Sequence, residues 1–151
     1  RLEARMSPDI RPATSDDRAR LVALDAQANG FARPGFLSAW LETEPGTRET
    51  EVLLRDGEIV GFATWRACRL GTKVGPIIAP DLSAALELLS HVAVQRPEGP
   101  LIVDIPEANA ELRRELDAAG FTVPFVTAQM YRGRVPQTGP ALQAIATMEL
   151  G

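Results

Sequence analysis

Asp104 is the first residue whose setting suggests chemistry. It stands in Leu101-Ile102-Val103-Asp104-Ile105, an otherwise apolar run. A carboxylate there must be paired, solvated at a cleft, or protonated. Two readings stay open: it lines a cleft as a catalytic group, or it anchors a loop by accepting backbone N–H groups. Tyr131 is the sole tyrosine. It could pass a proton only if its segment faced a cleft, and a half-buried strand tyrosine is the plainer expectation. Arg66 follows Trp65; it either takes an acidic ligand or pairs with a nearby glutamate, and the pairing is expected. Arg132-Gly133-Arg134 would make an anion site if the fold gathered it with Lys73 or Arg66 at one end of a sheet. Lys73 on its own is expected to be solvated. Ser83 lies near a helix start, where free N–H groups attract anions. Gly75 marks a bulge or a close approach to another group.

The single cysteine, Cys68, excludes an internal disulfide and is expected to be an inert turn residue. The single histidine, His91, follows a helical apolar stripe and is expected at a boundary. With one of each, a zinc site of Cys and His ligands is excluded by count. The net charge of -4 argues against a general nucleic-acid binder. No apolar run approaches the roughly 20 residues needed to span a bilayer, and no signal-peptide pattern is visible. A cytoplasmic protein is expected. The start at Arg1 with Met6 further in suggests part of a longer protein, with residues 1–9 as linker or tail and 10–151 as one domain.

The elements that must position these residues are legible in outline. Ile10-Arg11-Pro12-Ala13 reads as extended. Thr14 with Asp17 has capping-box spacing, and Leu21, Leu24, Asp25 and Ala28 follow at helical spacing up to Asn29-Gly30. A second helix is predicted over Pro34 to Glu42, with Phe36, Leu37, Trp40 and Leu41 on one side. Asp56-Gly57 between residues 51–55 and 58–66 predicts a hairpin with a type I′ turn. Lys73 to Ala79 is the next strand. A helix follows from Leu82 to Val94, on Ala84, Ala85, Leu88, Leu89 and Val92. Leu101 to Ile105 suits a strand buried on both faces and parallel to a neighbour. Asn109 to Ala119 is a helix with Leu112 and Leu116 inward, ended by Gly120. Two further strands are predicted, Val126 to Arg132 and Leu142 to Glu149. The sum is an α/β (α+β) domain: a mixed, mostly antiparallel sheet with helices on both faces.

This order resembles the fold of the GNAT superfamily of N-acetyltransferases. Ile10 to Asp17 looks like the opening of such domains, and Asn109 followed by a helix ending in Gly120-Phe121 is similar to the family's second characteristic segment. Val74-Gly75-Pro76-Ile77-Ile78-Ala79, Val103-Asp104-Ile105-Pro106, Met130-Tyr131-Arg132-Gly133 and Glu149-Leu150-Gly151 further resemble the C-terminal half of tandem proteins of the YitH type.

The resemblance implies acetyl-CoA as cofactor and an amine, small molecule or peptide, as acceptor. It implies Gly75, Ile77, Ile78, Ser83 and Asn109 as cofactor-binding residues. Arg66 and Arg132 would be substrate-binding, and Asp104 and Tyr131 catalytic candidates. No metal, nucleic-acid or membrane partner is expected from the counts and charge above, and the resemblance adds a missing N-terminal GNAT half or a homo-oligomer as partner. The chain departs from the family where chemistry is concentrated. Pro80-Asp81-Leu82-Ser83-Ala84-Ala85 stands where a basic residue and spaced glycines should cradle pyrophosphate. A carboxylate at ~4 Å from a phosphate is repelled by roughly 4 kcal/mol under surface-like screening. Leu116 occupies the place of the family's acid tyrosine. A second reading is therefore a catalytically degenerate domain used for substrate binding or for partner and domain association. A ligand-sized cleft between the strands at Gly75 and Leu101 would favour an enzyme, and a filled cleft the degenerate reading.

Overall fold

A computed structural model describes residues 2–149. Strand β1 (Ile10–Pro12) leads through a 3-10 turn (Ser15–Asp17) into α1 (Arg18–Asn29) and α2 (Pro34–Trp40). Strands β2 (Arg48–Arg55), β3 (Glu58–Cys68) and β4 (Gly71–Ile78) form a meander. Helix α3 (Leu82–Gln95), β5 (Leu101–Val103), α4 (Ala110–Ala118) and β6 (Leu142–Ala144) complete the order. The sheet runs β1-β2-β3-β4-β5, and β6 also pairs with β4. Only the β4–β5 pairing is parallel. The fold class is therefore the expected mixed, mostly antiparallel α/β sheet.

Local chemistry explains the punctuation. Asp17 accepts the Thr14 N–H at 2.7 Å and a bidentate guanidinium from Arg11 at 2.7 and 3.0 Å. The Arg11 hydrogen bonds, with smaller help from Thr14, hold its carboxyl well below the ordinary aspartate range. Asp56 and Gly57 have φ of 51° and 81°, the pair of positive values that a type I′ turn requires. Gly30, at φ 79°, ends α1.

Two cores lie on the two sheet faces. Leu21, Leu24 and Ala28 of α1 and Leu37 of α2 meet Val52, Phe62 and Ile78 on one. Ala85, Leu88, Leu89 and Val92 of α3 and Leu112 and Leu116 of α4 meet Leu53, Ala63, Trp65 and Ile77 on the other. Leu116, where the resemblance would put a tyrosine, is 2 % exposed and part of that core.

Several expectations are corrected. The stretch 126–132 is not a strand; it carries no regular structure and is exposed throughout. The second half of the β4 edge is taken by β6 (Ile77 opposite Ala144, Ile78 opposite Leu142). The last strand is only Leu142–Ala144. β5 is parallel to β4 as expected, but it is three residues long at the sheet's edge and Ile102 is exposed. His91 is buried, not at a boundary, because the N-terminal segment covers α3. The Ser7 N–H donates to His91 Nδ1 at 3.2 Å and the Arg5 N–H to Ser90 O at 3.2 Å.

Candidate functional site

The site begins at a bulge. Val74 faces Trp65 and Ile77 faces Ala63 across the β3–β4 ladder, so β4 spends one residue more than β3 between those pairs. The surplus falls at Gly75-Pro76, whose peptide is cis. A bulge turns a backbone carbonyl out of the ladder, and Trp40 Nε1 donates to Gly75 O at 3.1 Å. Trp40 is held in turn: its ring stacks on Phe36 at 5.3 Å, and the Arg33 guanidinium lies 4.7 Å from the Phe36 centroid. Arg33 makes a bidentate pair with Asp25 at 2.8 and 2.9 Å, both side chains buried. A connected series of contacts thus runs from the end of α1 to the β4 bulge. The sequence reading placed Asp25 on the helix face but missed its partner eight residues on.

Lys73 precedes the bulge. It is buried, not solvated, and its Nζ lies 2.6 Å from Asp104 Oδ2. Lys73 is buried and Asp104 half-buried, and at this distance each offsets part of the other's desolvation. Asp104 thus sits just beyond β5 as an ion-pair partner, and its backbone carbonyl accepts the Ile145 N–H at 3.0 Å. Arg66, opposite Lys73 on β3, lies 5.5 Å from the Trp40 ring centroid, and its buried Nε has no hydrogen-bond partner among the described residues. Arg66 thus makes a cation–π contact with Trp40 beside its electrostatic contact with a glutamate, Glu149. Glu149 belongs to the same neighbourhood. Its carboxyl is held below the ordinary glutamate range, first by the Thr147 hydroxyl and to a smaller extent by Lys73 and Arg66. Leu150 and Gly151, the rest of the ending quoted above, lie outside the described residues.

The space between β4 and β5 beyond their short pairing is where the resemblance puts the cofactor. The chain fills it with itself. β6 lies against the end of β4, the Ala79 N–H donates to Ala141 O at 3.0 Å, and the Ile145 N–H reaches Asp104 O beyond β5. The approach at Gly75 is so close that a Cβ there would stand 2.3 Å from Ile145 O and 3.2 Å from Ala146 O. Gln143 locks β6 in place: its Nε2 donates to Ala79 O at 3.3 Å and Pro140 O at 3.1 Å, and its side-chain oxygen accepts Asn109 Nδ2 at 2.6 Å. Asn109 also caps α4 through the Leu112 N–H. Of the residues assigned to a cofactor by resemblance, Ile77, Ile78 and Asn109 hold this inserted segment and Gly75 leaves room for it.

Ser83 is exposed in the first turn of α3. The Asp81 side chain caps that helix, accepting the Ala84 N–H at 2.8 Å. The positive end of α3 is thereby partly satisfied by an internal carboxylate. The residues around Gly75 and Asp81 do not fit an acyl-CoA in this arrangement: one region is filled by backbone, the other faced by a negative charge. Tyr131 and Arg132 are exposed in the stretch outside the sheet, and neither is brought to Asp104 or Arg66 by a described contact.

A second polar cluster went unnoticed in the sequence. Glu51 is fully buried on β2, and burial pushes its carboxyl above the ordinary range, against smaller opposing effects of Gln95, His91 and Trp65. Glu51 Oε1 and Oε2 and Trp65 Nε1 have no hydrogen-bond partner among the described residues. The alternation of β2 would have flagged Glu51, since it shares a face with Leu53. No group of acidic, His and Cys side chains suited to a metal ion occurs among the described residues. None of the described helices is long and apolar enough to cross a membrane.

Comparison with known proteins gives a consistent answer. The acetyltransferase (GNAT) domain family matches residues 21–142. Holothin acyltransferase of Pseudoalteromonas sp. (strain SANK 73390) is 28 % identical over 148 residues, which is 96 % of this chain and 50 % of that protein. The uncharacterized N-acetyltransferase YitH of Bacillus subtilis (strain 168) is 31 % identical over 67 residues, 44 % of this chain and 23 % of that protein. This chain thus spans half or less of the curated relatives it matches. Among solved structures, a ribosomal-protein-alanine N-acetyltransferase from Brucella melitensis biovar Abortus 2308 aligns with TM-score 0.61 at 16 % identity, covering 82 % of this chain and 98 % of that one. An acetyltransferase structure from Arthrobacter sp. FB24 aligns with TM-score 0.58 at 18 % identity, covering 87 % and 98 %. At these identities the structures speak to fold.

Proposed function

Since the chain belongs to the GNAT acetyltransferase family, we propose that it serves an N-acyltransferase of the acetyl-CoA-to-amine type as the half that associates and supports substrate, rather than as the seat of the cofactor. The observation that carries this reading is β6. It occupies the region between β4 and β5, pinned by the Gln143 and Asn109 hydrogen bonds and by the close approach of Ile145 O to Gly75. The Asp81 cap on α3 supports it, because a phosphate would have to displace a carboxylate from the helix start. In this reading a missing N-terminal GNAT half supplies the pyrophosphate cradle, and this domain supplies the surface around Trp40, Arg66 and the Lys73–Asp104 pair. That surface pairs an aromatic ring with guanidinium groups, a chemistry suited to an acceptor that carries a carboxylate or an aromatic ring.

Calorimetric titration of the chain with acetyl-CoA tests the reading. No binding at millimolar cofactor is expected. Binding at micromolar strength, roughly -8 kcal/mol, would refute it and favour an alternative, an acyltransferase that is active alone. That alternative draws on the acyltransferase naming of the relatives.

A further inference from the structure

His91 is the single histidine of the chain, and it is buried beneath the residues that precede β1. That N-terminal strap, residues 2–9, is mostly exposed and lies on α3. Among the described residues three hydrogen bonds fix it there. The Arg5 N–H donates to Ser90 O at 3.2 Å, the Ser7 hydroxyl to Glu87 Oε1 at 2.6 Å, and the Ser7 N–H to His91 Nδ1 at 3.2 Å. Leu2 adds an apolar contact with the core beneath α3. Ser7 also accepts the Asp9 N–H on its hydroxyl and the Ile10 N–H on its carbonyl, so the turn into β1 starts at Ser7 and the strap hinges there.

The bond to His91 depends on a proton. Nδ1 accepts only while it carries none. The neutral ring then holds its proton on Nε2, which lies 3.2 Å from the Gln95 side-chain nitrogen. A half-turn of that amide presents its oxygen as the acceptor, and both ring nitrogens are satisfied. A second proton has no such place. It would set a ring N–H against the Ser7 N–H, donor against donor, in a buried position. The charged groups around the ring come from each neighbouring element. Glu51 and Glu49 stand on β2, Glu87 on α3 one turn earlier, Arg5 and Asp9 on the strap, Arg55 at the end of β2 on Glu87, and Arg96 over the Trp65 ring. Burial acts to raise the Glu87 carboxyl, but the Ser7 and Arg55 hydrogen bonds hold it below the ordinary range. Its grip on the Ser7 hydroxyl therefore outlasts a mild fall in pH.

We infer that the strap is a proton-operated latch: it docks on α3 while His91 Nδ1 is unprotonated, and protonation of the ring frees the Ser7 N–H and lets residues 2–6 swing away, uncovering His91. The docked state binds fewer protons on His91 than the released one, so docking weakens as pH falls, by at most roughly tenfold per pH unit. Histidine is the side chain that changes charge between about pH 8 and 5.

The test is amide exchange at Ser7 by NMR on the intact chain from about pH 8 to 5, each rate divided into the unstructured rate at the same pH. The Ser7 protection factor is expected to fall by roughly tenfold or more. One histidine gives one imidazole nitrogen pattern, in which Nδ1 is expected to be the unprotonated nitrogen at high pH, with a midpoint matching the loss of Ser7 protection. His91→Gln keeps a side-chain acceptor that does not titrate and should make Ser7 protection flat with pH. Glu51→Gln should leave the response in place, since a buried carboxyl of raised value would drive docking in the opposite direction. Unchanged Ser7 protection in the parent chain, a neutral ring protonated on Nδ1, midpoints that differ, or a response that survives His91→Gln or vanishes in Glu51→Gln would each overturn the inference.

Discussion

Gly75→Ala separates a filled β4–β5 region from an open one. The added Cβ would stand 2.3 Å from Ile145 O, against about 3.4 Å for ordinary contact, so the two backbones must part by about 1 Å. Both are held, Ile145 by its N–H on Asp104 O and β4 by its pairing with β3. The shift therefore falls on the β6 ladder. Overpacking of this size costs about 1–3 kcal/mol, and for a chain of this length each kcal/mol lowers Tm by about 2–4 °C. Tm and native-state hydrogen exchange are the assays: a fall of roughly 2–12 °C is expected, with selective loss of protection at Ala79 and Ile145. Gly35→Ala is the control, because a Cβ there meets nothing within 4 Å and α2 should gain slightly. Unchanged Tm and protection in Gly75→Ala would refute the close packing of β6 and remove the main support for a domain that does not hold the cofactor.

Asp25→Asn breaks the buried ion pair with Arg33, so chemical denaturation should show a loss of about 3–5 kcal/mol. Trp40 fluorescence should change with it, through Phe36. Glu51 has a raised carboxyl, so the folded state binds more protons than the unfolded one. Stability therefore falls as pH rises above the ordinary glutamate value near 4.3 and levels off above the folded value. Glu51→Gln should flatten that limb in denaturation curves taken across pH, and an unchanged slope would contradict the burial argument. Asp81→Ala removes the α3 cap and should cost about 1 kcal/mol of stability in urea.

How much of this was legible follows from the range of each interaction. Asp56-Gly57 announces its hairpin because a type I′ turn needs two positive φ values that few other residue pairs tolerate. Thr14 with Asp17, and Gly30 and Gly120, likewise encode their helix ends over three or four residues. Gly75 was legible as a place of close approach, but not what approaches it. Lys73 was misjudged because its partner Asp104 lies some thirty residues on, just beyond β5, and His91 because the segment covering it is more than eighty residues away in the chain. The stretch 126–132 shows the opposite failure. Its strand pattern is real, yet a strand exists only where the chain is brought to an edge, and this stretch lies outside the sheet while β6 takes the end of β4.

By itself the sequence determined the family resemblance, the alternation of strand and helix, the two-faced core, and the departure of Pro80 to Ala85 from a phosphate cradle. Those are properties of side-chain type and local spacing. The tertiary structure alone decided that β6 enters between β4 and β5, that Asp104 neutralises Lys73, and that Asn109 and Gln143 are spent on holding the inserted segment while Gly75 leaves room for it. Each depends on which distant backbone groups meet, and a buried N–H or carbonyl must find its partner wherever the fold provides one.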